Sequence, residues 1–165
     1  MNNRNAMIKV GIADQKMAKA PDKIKTTGLG SCVGLVLYDL NRQVAGLAHI
    51  MLPDSSLAKQ ANLNPYKYAD TAIDRLIEKL CSAGAAKYAL KAKMAGGAQM
   101  FEFASNNDLI RIGSRNVQAV QEKLNEHHIV LKAKDVGGNS GRTIEFDPAS
   151  GTLKIRTIYQ GESII

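Results

Sequence analysis

Residues 33–50 read VGLVLYDLNRQVAGLAHI, two short apolar runs around a polar separator. Val33 to Tyr38 and Val44 to Ile50 are short apolar runs of strand length. Asp39-Leu40-Asn41-Arg42-Gln43 is polar enough to turn the chain, so the stretch predicts a hairpin. With a loop of Asp39 to Arg42, Tyr38 pairs with Gln43, and the same register places Cys32 directly opposite His49. Opposed residues point to one face with Cβ atoms roughly 4.5–5.5 Å apart. A one-residue slip would send them to opposite faces, so the expectation depends on loop length.

Outward from this hairpin, Met7 to Ala13 reads as a strand before it. Further strands are expected at Leu90 to Met94, Ile129 to Ala133, Arg142 to Phe146 and Leu153 to Tyr159. Asp147-Pro148-Ala149-Ser150-Gly151 supplies turn chemistry between the last two. One helix is expected from Pro65, with Asn64 as its cap. Ala69, Ile73, Leu76, Ile77 and Leu80 then recur at spacings of three and four, up to a stop at Gly84. A second helix runs from about Ser114 to His127, with Val117, Val120 and Leu124 on one face. Strands cluster at both ends and do not alternate with helices. That pattern favours an α+β arrangement of mixed or antiparallel sheets with helices on one side.

The chain has 165 residues, of which 45% are hydrophobic and 22% charged, as expected of one ordinary globular domain spanning 1–165. No apolar run approaches the ~20 residues that span a bilayer, and residues 1–9 lack a secretory apolar region. A cytoplasmic protein without membrane insertion is expected. The formal charge is +7, which draws a protein toward acidic partners. Aromatic residues are only 5% and Trp is absent, so a base-stacking platform has little material and no nucleic-acid partner is expected.

Two cysteines are present, Cys32 and Cys81. Their separation makes no zinc pattern, and a reducing compartment disfavours a disulfide. Cys81 lies on or beside the apolar stripe of the first helix and reads as core. Cys32 opens an apolar strand after Gly28-Leu29-Gly30-Ser31, a loop able to aim backbone N–H groups inward as oxyanion donors. A lone cysteine is usually a small buried hydrophobe, and a lone strand histidine is usually a hydrogen-bonded core residue. Together, Cys32 and His49 form a nucleophile–base pair: a neighbouring imidazolium lowers a thiol's pKa and the imidazole can protonate a leaving amine. A third group would orient the imidazole, and Thr26, Thr27 and Ser31 are the local hydroxyls. Gly28-Leu29-Gly30 fails as a dinucleotide fingerprint because the third glycine position holds Val33. Gly137-Gly138-Asn139-Ser140-Gly141 lacks the Lys-Ser/Thr of a phosphate loop. His127-His128 lacks the spacing of a metal-ligand set.

Six blocks together resemble the chemoreceptor glutamine deamidase (CheD) family. They are Thr26 through Leu37, Ala48 through Pro53, Lys67 through Ala72, Ala95 through Phe101, Ile112 through Val117 and Asp135 through Arg142. The resemblance implies a Cys-His-Thr set at Cys32, His49 and Thr26. It also implies a β-sandwich-like core with helices on one side, similar to toxin-type glutamine deamidases. The implied reaction is hydrolysis of glutamine side chains to glutamate on methyl-accepting chemotaxis receptors, releasing ammonia, with no metal or organic cofactor. Some relatives are implied to act as receptor methylesterases. An alternative implied role is regulatory: a partner that stimulates the CheC phosphatase, with Met100-Phe101 as a candidate contact.

Overall fold

A computed structural model describes residues 5–58, 63–100 and 111–165. Among these lie ten strands and two α-helices, ordered β1 (Met7–Val10), β2 (Gln15–Lys19), β3 (Lys23–Leu29), β4 (Val33–Asp39), β5 (Val44–Ile50), α1 (Ala69–Ser82), β6 (Lys91–Gly96), α2 (Ile112–Glu126), β7 (Val130–Val136), β8 (Arg142–Asp147), β9 (Thr152–Thr157) and β10 (Gly161–Ile164). The strands form two mixed sheets, β1-β3-β8-β9-β10 and β2-β5-β4-β6-β7. Pairing is parallel between β1 and β3 and between β6 and β7, and antiparallel elsewhere. The fold is α+β, as expected. No helix among the described residues is long and apolar enough to cross a membrane.

The central hairpin is buried on both faces, which is why it reads as nearly continuous apolar sequence. Val33, Leu35 and Leu37 face α1 and α2, where Ile73, Leu76, Val120 and Leu124 complete one core. Val36, Tyr38, Ala45 and Leu47 face the other way, onto Ile24, Leu29, Ile144 and Phe146 of the first sheet. Both helices therefore pack on one sheet, and the second core lies between the sheets. Strands β8 and β9 bury alternate residues only, because the outer face of their sheet meets solvent.

Three strands escape the sequence reading. The expected strand Met7 to Ala13 stops at Val10, and the chain turns through Ala13 at φ 57° into β2. Strand β3 hides its Ile24 and Thr26 among Lys23, Lys25 and Thr27, and β10 is an exposed edge. The first helix begins at Ala69, not Pro65. Asn64 instead caps a turn, accepting from the Tyr66 N–H at 3.0 Å. The Lys67 carbonyl accepts from Met51 and Leu52, and the Ala69 N–H donates to Leu52. The turn at Pro65–Tyr66 and these bonds to residues 51–52 delay the helix.

The hairpin register also differs. Asp39 pairs with Val44, so His49 stands opposite Gly34. The Asp39 carboxylate accepts from the Arg42 N–H at 3.2 Å, and Gln43 closes the turn at φ 54°. The four-residue turn is thus Leu40 to Gln43, one residue further along the chain than expected on both sides. The resulting two-residue shift in register preserves which face each side chain takes.

Candidate functional site

The interior between the sheets holds one buried constellation of polar groups. Strand β3 is bulged between Thr26 and Leu29, so that both point inward while Thr27 and Gly28 are exposed. Gly28 takes φ 73°, a conformation that suits glycine. Thr26 Oγ1 donates to the Val10 carbonyl at 2.8 Å on the neighbouring strand. It also lies 2.7 Å from His49 Nδ1 of the opposite sheet. A hydroxyl has one proton, and the Val10 carbonyl can only accept. The proton therefore goes to Val10, and Thr26 Oγ1 accepts from Nδ1–H. This fixes the imidazole tautomer and leaves the Nε2 lone pair available. Nε2 is buried and makes no hydrogen bond to a described protein atom.

Cys32 lies in the loop that carries the chain from β3 in one sheet to β4 in the other. It is partly buried against the inter-sheet core that His49 also faces. Two backbone bonds hold this loop: Gly97 N–H donates to the Cys32 carbonyl and Ala98 N–H to the Gly30 carbonyl, each at 2.8 Å. Gly96 makes that approach possible at φ 112°, since a Cβ there would sit 2.2 Å from the Cys32 oxygen. Arg142 braces the same turn from β8, donating to the Gly96 carbonyl at 3.3 Å and the Gly137 carbonyl at 2.9 Å.

Two expectations about the pair need correction. Cys32 is not directly opposite His49; in the observed register it falls just beyond the last pair, Val33 with Ile50, and its thiol makes no hydrogen bond to the imidazole. The electrostatics also differ from a preformed thiolate–imidazolium pair. Burial pushes the Cys32 thiol up, against a smaller lowering by its own backbone N–H. Burial holds the His49 imidazole below its ordinary value. Both groups are therefore neutral at rest near pH 7.

Of the other hydroxyls considered, Thr27 is exposed and Ser31 contributes its backbone carbonyl, which accepts from Asn116 Nδ2 at 3.0 Å. Met100 is exposed, and its side chain lies over Gly30 in the cysteine loop; Phe101 lies outside the described residues. Cys81 packs against the helix-side core, as expected. His127 closes α2 and pairs with Asp74 of α1 at 2.7 Å. Asn116, Gly96 and Arg142 were not singled out individually from sequence. The blocks that carry the family resemblance around them were visible, but their side-chain and backbone contacts come from distant elements.

The family model for CheD chemotactic sensory transduction matches residues 51–157. The chain belongs to the CheD family. It is 60% identical over 161 residues to the chemoreceptor glutamine deamidase CheD of Halalkalibacterium halodurans, covering 98% of this chain and 99% of that one. It is equally 60% identical over 159 residues to the protein of the same name from Bacillus subtilis, covering 96% of each. The family model's matched segment begins after Thr26, Cys32 and His49. Those three residues fall within the reach of the nearly full-length CheD relatives instead.

Proposed function

We propose that this protein hydrolyses specific glutamine side chains of chemotaxis receptors to glutamate, with Cys32 as nucleophile, His49 as base and Thr26 as the group that orients His49. The observation that carries the reading is the Thr26–His49 bond, which commits Nδ1–H to Thr26 and frees Nε2 to take a proton. The names of the CheD relatives support the substrate class.

The chemistry starts from a neutral pair. His49 Nε2 removes the Cys32 thiol proton as sulfur attacks the glutamine amide carbon. The Cys32 N–H, which already lies against its own sulfur, is positioned to stabilise the developing oxyanion. His49 then gives its Nε2 proton to the departing ammonia, leaving a thioester. A water, deprotonated by His49, attacks the thioester carbonyl, and collapse restores the thiol and releases glutamate. The imidazolium exists only between these proton transfers, when its Nδ1–H bond to Thr26 holds the ring in place. The thiol–imidazole contact tightens once substrate is bound, as catalytic hydrogen bonds commonly do. A methyl ester would follow the same path with methanol as leaving group. The +7 charge favours encounter with an acidic receptor segment.

A second reading, partnership with and stimulation of the CheC phosphatase, draws on exposed Met100 beside Gly30. Such a partner would contact the rim of the cysteine loop.

The deciding experiment is mass spectrometry of a glutamine-bearing receptor cytoplasmic fragment incubated with the native protein or with Cys32→Ser. Conversion of specific glutamines by the native protein alone is expected. Equal conversion by both would remove Cys32 from the chemistry; no conversion across several receptors, with CheC still bound, would favour the regulatory role.

A further inference from the structure

Beyond the last ladder pair of the central hairpin, Val33 with Ile50, the two strands separate toward the candidate site. There, one side chain spans the gap. Asn116 of α2 is fully buried, and its Nδ2 donates to the Ser31 carbonyl at 3.0 Å and to the Met51 carbonyl at 2.9 Å. Ser31 immediately precedes Cys32, and Met51 follows His49 by two residues. Both partners are acceptors, so only the NH2 end of the carboxamide can face them. The amide thus acts as one more rung between the cysteine segment and the histidine segment.

We infer that Asn116 is a positioning residue, which sets the separation of Cys32 and His49 by tying together the two backbone segments that carry them. The inference rests on the catalytic pairing proposed above and adds to it. Helix packing alone does not account for an asparagine here. It lies on the buried face of α2 with Val120 and Leu124, where an apolar residue would serve. Asn is a weaker helix former than Ala, Leu or Met. Its Oδ1 is buried without a partner among the described residues, which is unfavourable. What the amide supplies, and an apolar residue cannot, is two donors aimed at two chain segments. No other amino-acid side chain of this size carries both on one nitrogen.

The test compares native protein, Asn116→Ala, Asn116→Ser, His49→Gln and the control Val120→Ala. Val120 is buried one turn further along α2. Three quantities are read: kcat and KM for receptor-glutamine deamidation, the pH profile of Cys32 alkylation by iodoacetamide resolved at the peptide level, and the melting temperature. Asn116→Ala is expected to lower kcat by about 10- to 100-fold, the scale of a misplacement near 1 Å, with KM little changed. Its alkylation profile should depart from the native one as the Cys32 segment shifts. Val120→Ala should lower the melting temperature while keeping the native profile and kcat. If Asn116→Ala does not fold, Asn116→Ser, which keeps one donor, is read the same way and should show a partial loss. Native kcat and profile in the Asn116 variant, or equal losses in Val120→Ala, would overturn the inference. Native kcat in a folded His49→Gln would overturn the catalytic pairing itself, and this inference with it.

Discussion

Thr26 of β3 and His49 of β5 belong to different sheets, and a 2.7 Å hydrogen bond between Oγ1 and Nδ1 joins them across the core of the sandwich. The Thr26 proton is already committed to the Val10 carbonyl at 2.8 Å. The imidazole is therefore held in a single tautomer by a chain of three groups from three strands. The site cannot form until both sheets have docked.

Removing the hydroxyl tests this chain. Thr26→Val keeps the shape but leaves Nδ1–H and the Val10 carbonyl without their partner. A loss of about 1–3 kcal/mol in stability is expected from the unpaired buried groups. A fall of about 10- to 100-fold in kcat should accompany it, because the competing tautomer puts a proton on Nε2. Thr26→Ser should restore most of the rate. Denaturant melts and ammonia-release kinetics on the three proteins check this, and native kcat in Thr26→Val would show that the bond does not orient the base.

The pH dependence follows from two shifts of opposite sign. His49 titrates below its ordinary value because it is buried, so the acid limb of kcat/KM should lie below about pH 6.5, the unperturbed imidazole value. The Cys32 thiol is raised by burial, so iodoacetamide should react slowly at neutral pH and accelerate only in the alkaline range. A full thiolate reactivity plateau near pH 6 would contradict the neutral resting pair. Stability is linked to the same group. A histidine with a depressed folded pKa stabilises the fold above its unfolded value and loses that contribution as pH falls through the folded one. Acid melts of the native protein and His49→Gln should therefore diverge below about pH 6.5, the variant being the flatter.

The sequence made the hairpin strands visible because they are apolar on both faces, and α1 visible because Ile73, Leu76 and Leu80 fall on one stripe. It concealed β3, in which Ile24 and Thr26 alternate with Lys23, Lys25 and Thr27 and the charge pattern dominates. That Cys32 and His49 share a face was legible from the hairpin pattern, while Thr26 stood among three local hydroxyls until the family resemblance pointed to it. The hairpin register was not legible, since it is set by the Asp39 side chain folding back on Arg42, a contact no hydrophobic pattern encodes. Asn116 was illegible for a related reason. An asparagine on a helix announces nothing until two carbonyls from loops 65 and 85 residues away arrive at its amide.

Asp39 offers a test of the fold apart from the chemistry. Its side chain is fully buried. Burial raises its pKa, but the Ala86 and Arg42 N–H groups and the Arg42 guanidinium outweigh that and hold the carboxyl below its ordinary range. With a depressed folded pKa, its contribution is present above the unfolded value near about 4 and is lost as pH falls through the folded one. Asp39→Asn should cost about 1–3 kcal/mol at neutral pH and flatten stability below about pH 4. The residue sits at the far end of β4 from Cys32, roughly 20 Å along the strand, so kcat should be unchanged. Urea melts across pH, paired with turnover measurements at neutral pH, separate the two effects. A loss of kcat in a folded Asp39→Asn would mean that the hairpin register at the turn reaches the site.

Gly96 places the strictest steric demand on the cysteine loop. At φ 112°, a Cβ would stand 2.2 Å from the Cys32 carbonyl oxygen and 3.3 Å from Val33 Cα. Backbone, not a flexible side-chain end, occupies that space, so Gly96→Ala can be accommodated only by moving the Cys32 segment or by changing the dihedral of residue 96. Either response breaks the 2.8 Å bond from Gly97 N–H to the Cys32 carbonyl. It also withdraws the Gly96 carbonyl from Arg142. Strain at such a position costs of order 1–3 kcal/mol. The displaced nucleophile should cost a further factor of about 100 in kcat, the scale set by a 1 Å error at a reacting atom. Gly30→Ala is the matched control. Its Cβ would first meet the flexible Met100 side chain, at 3.2 Å, so it should alter kcat far less. Thermal melts and deamidation rates of the two variants give the comparison. Equal activity in Gly96→Ala and Gly30→Ala would mean that the cysteine loop does not depend on the close approach of Gly96.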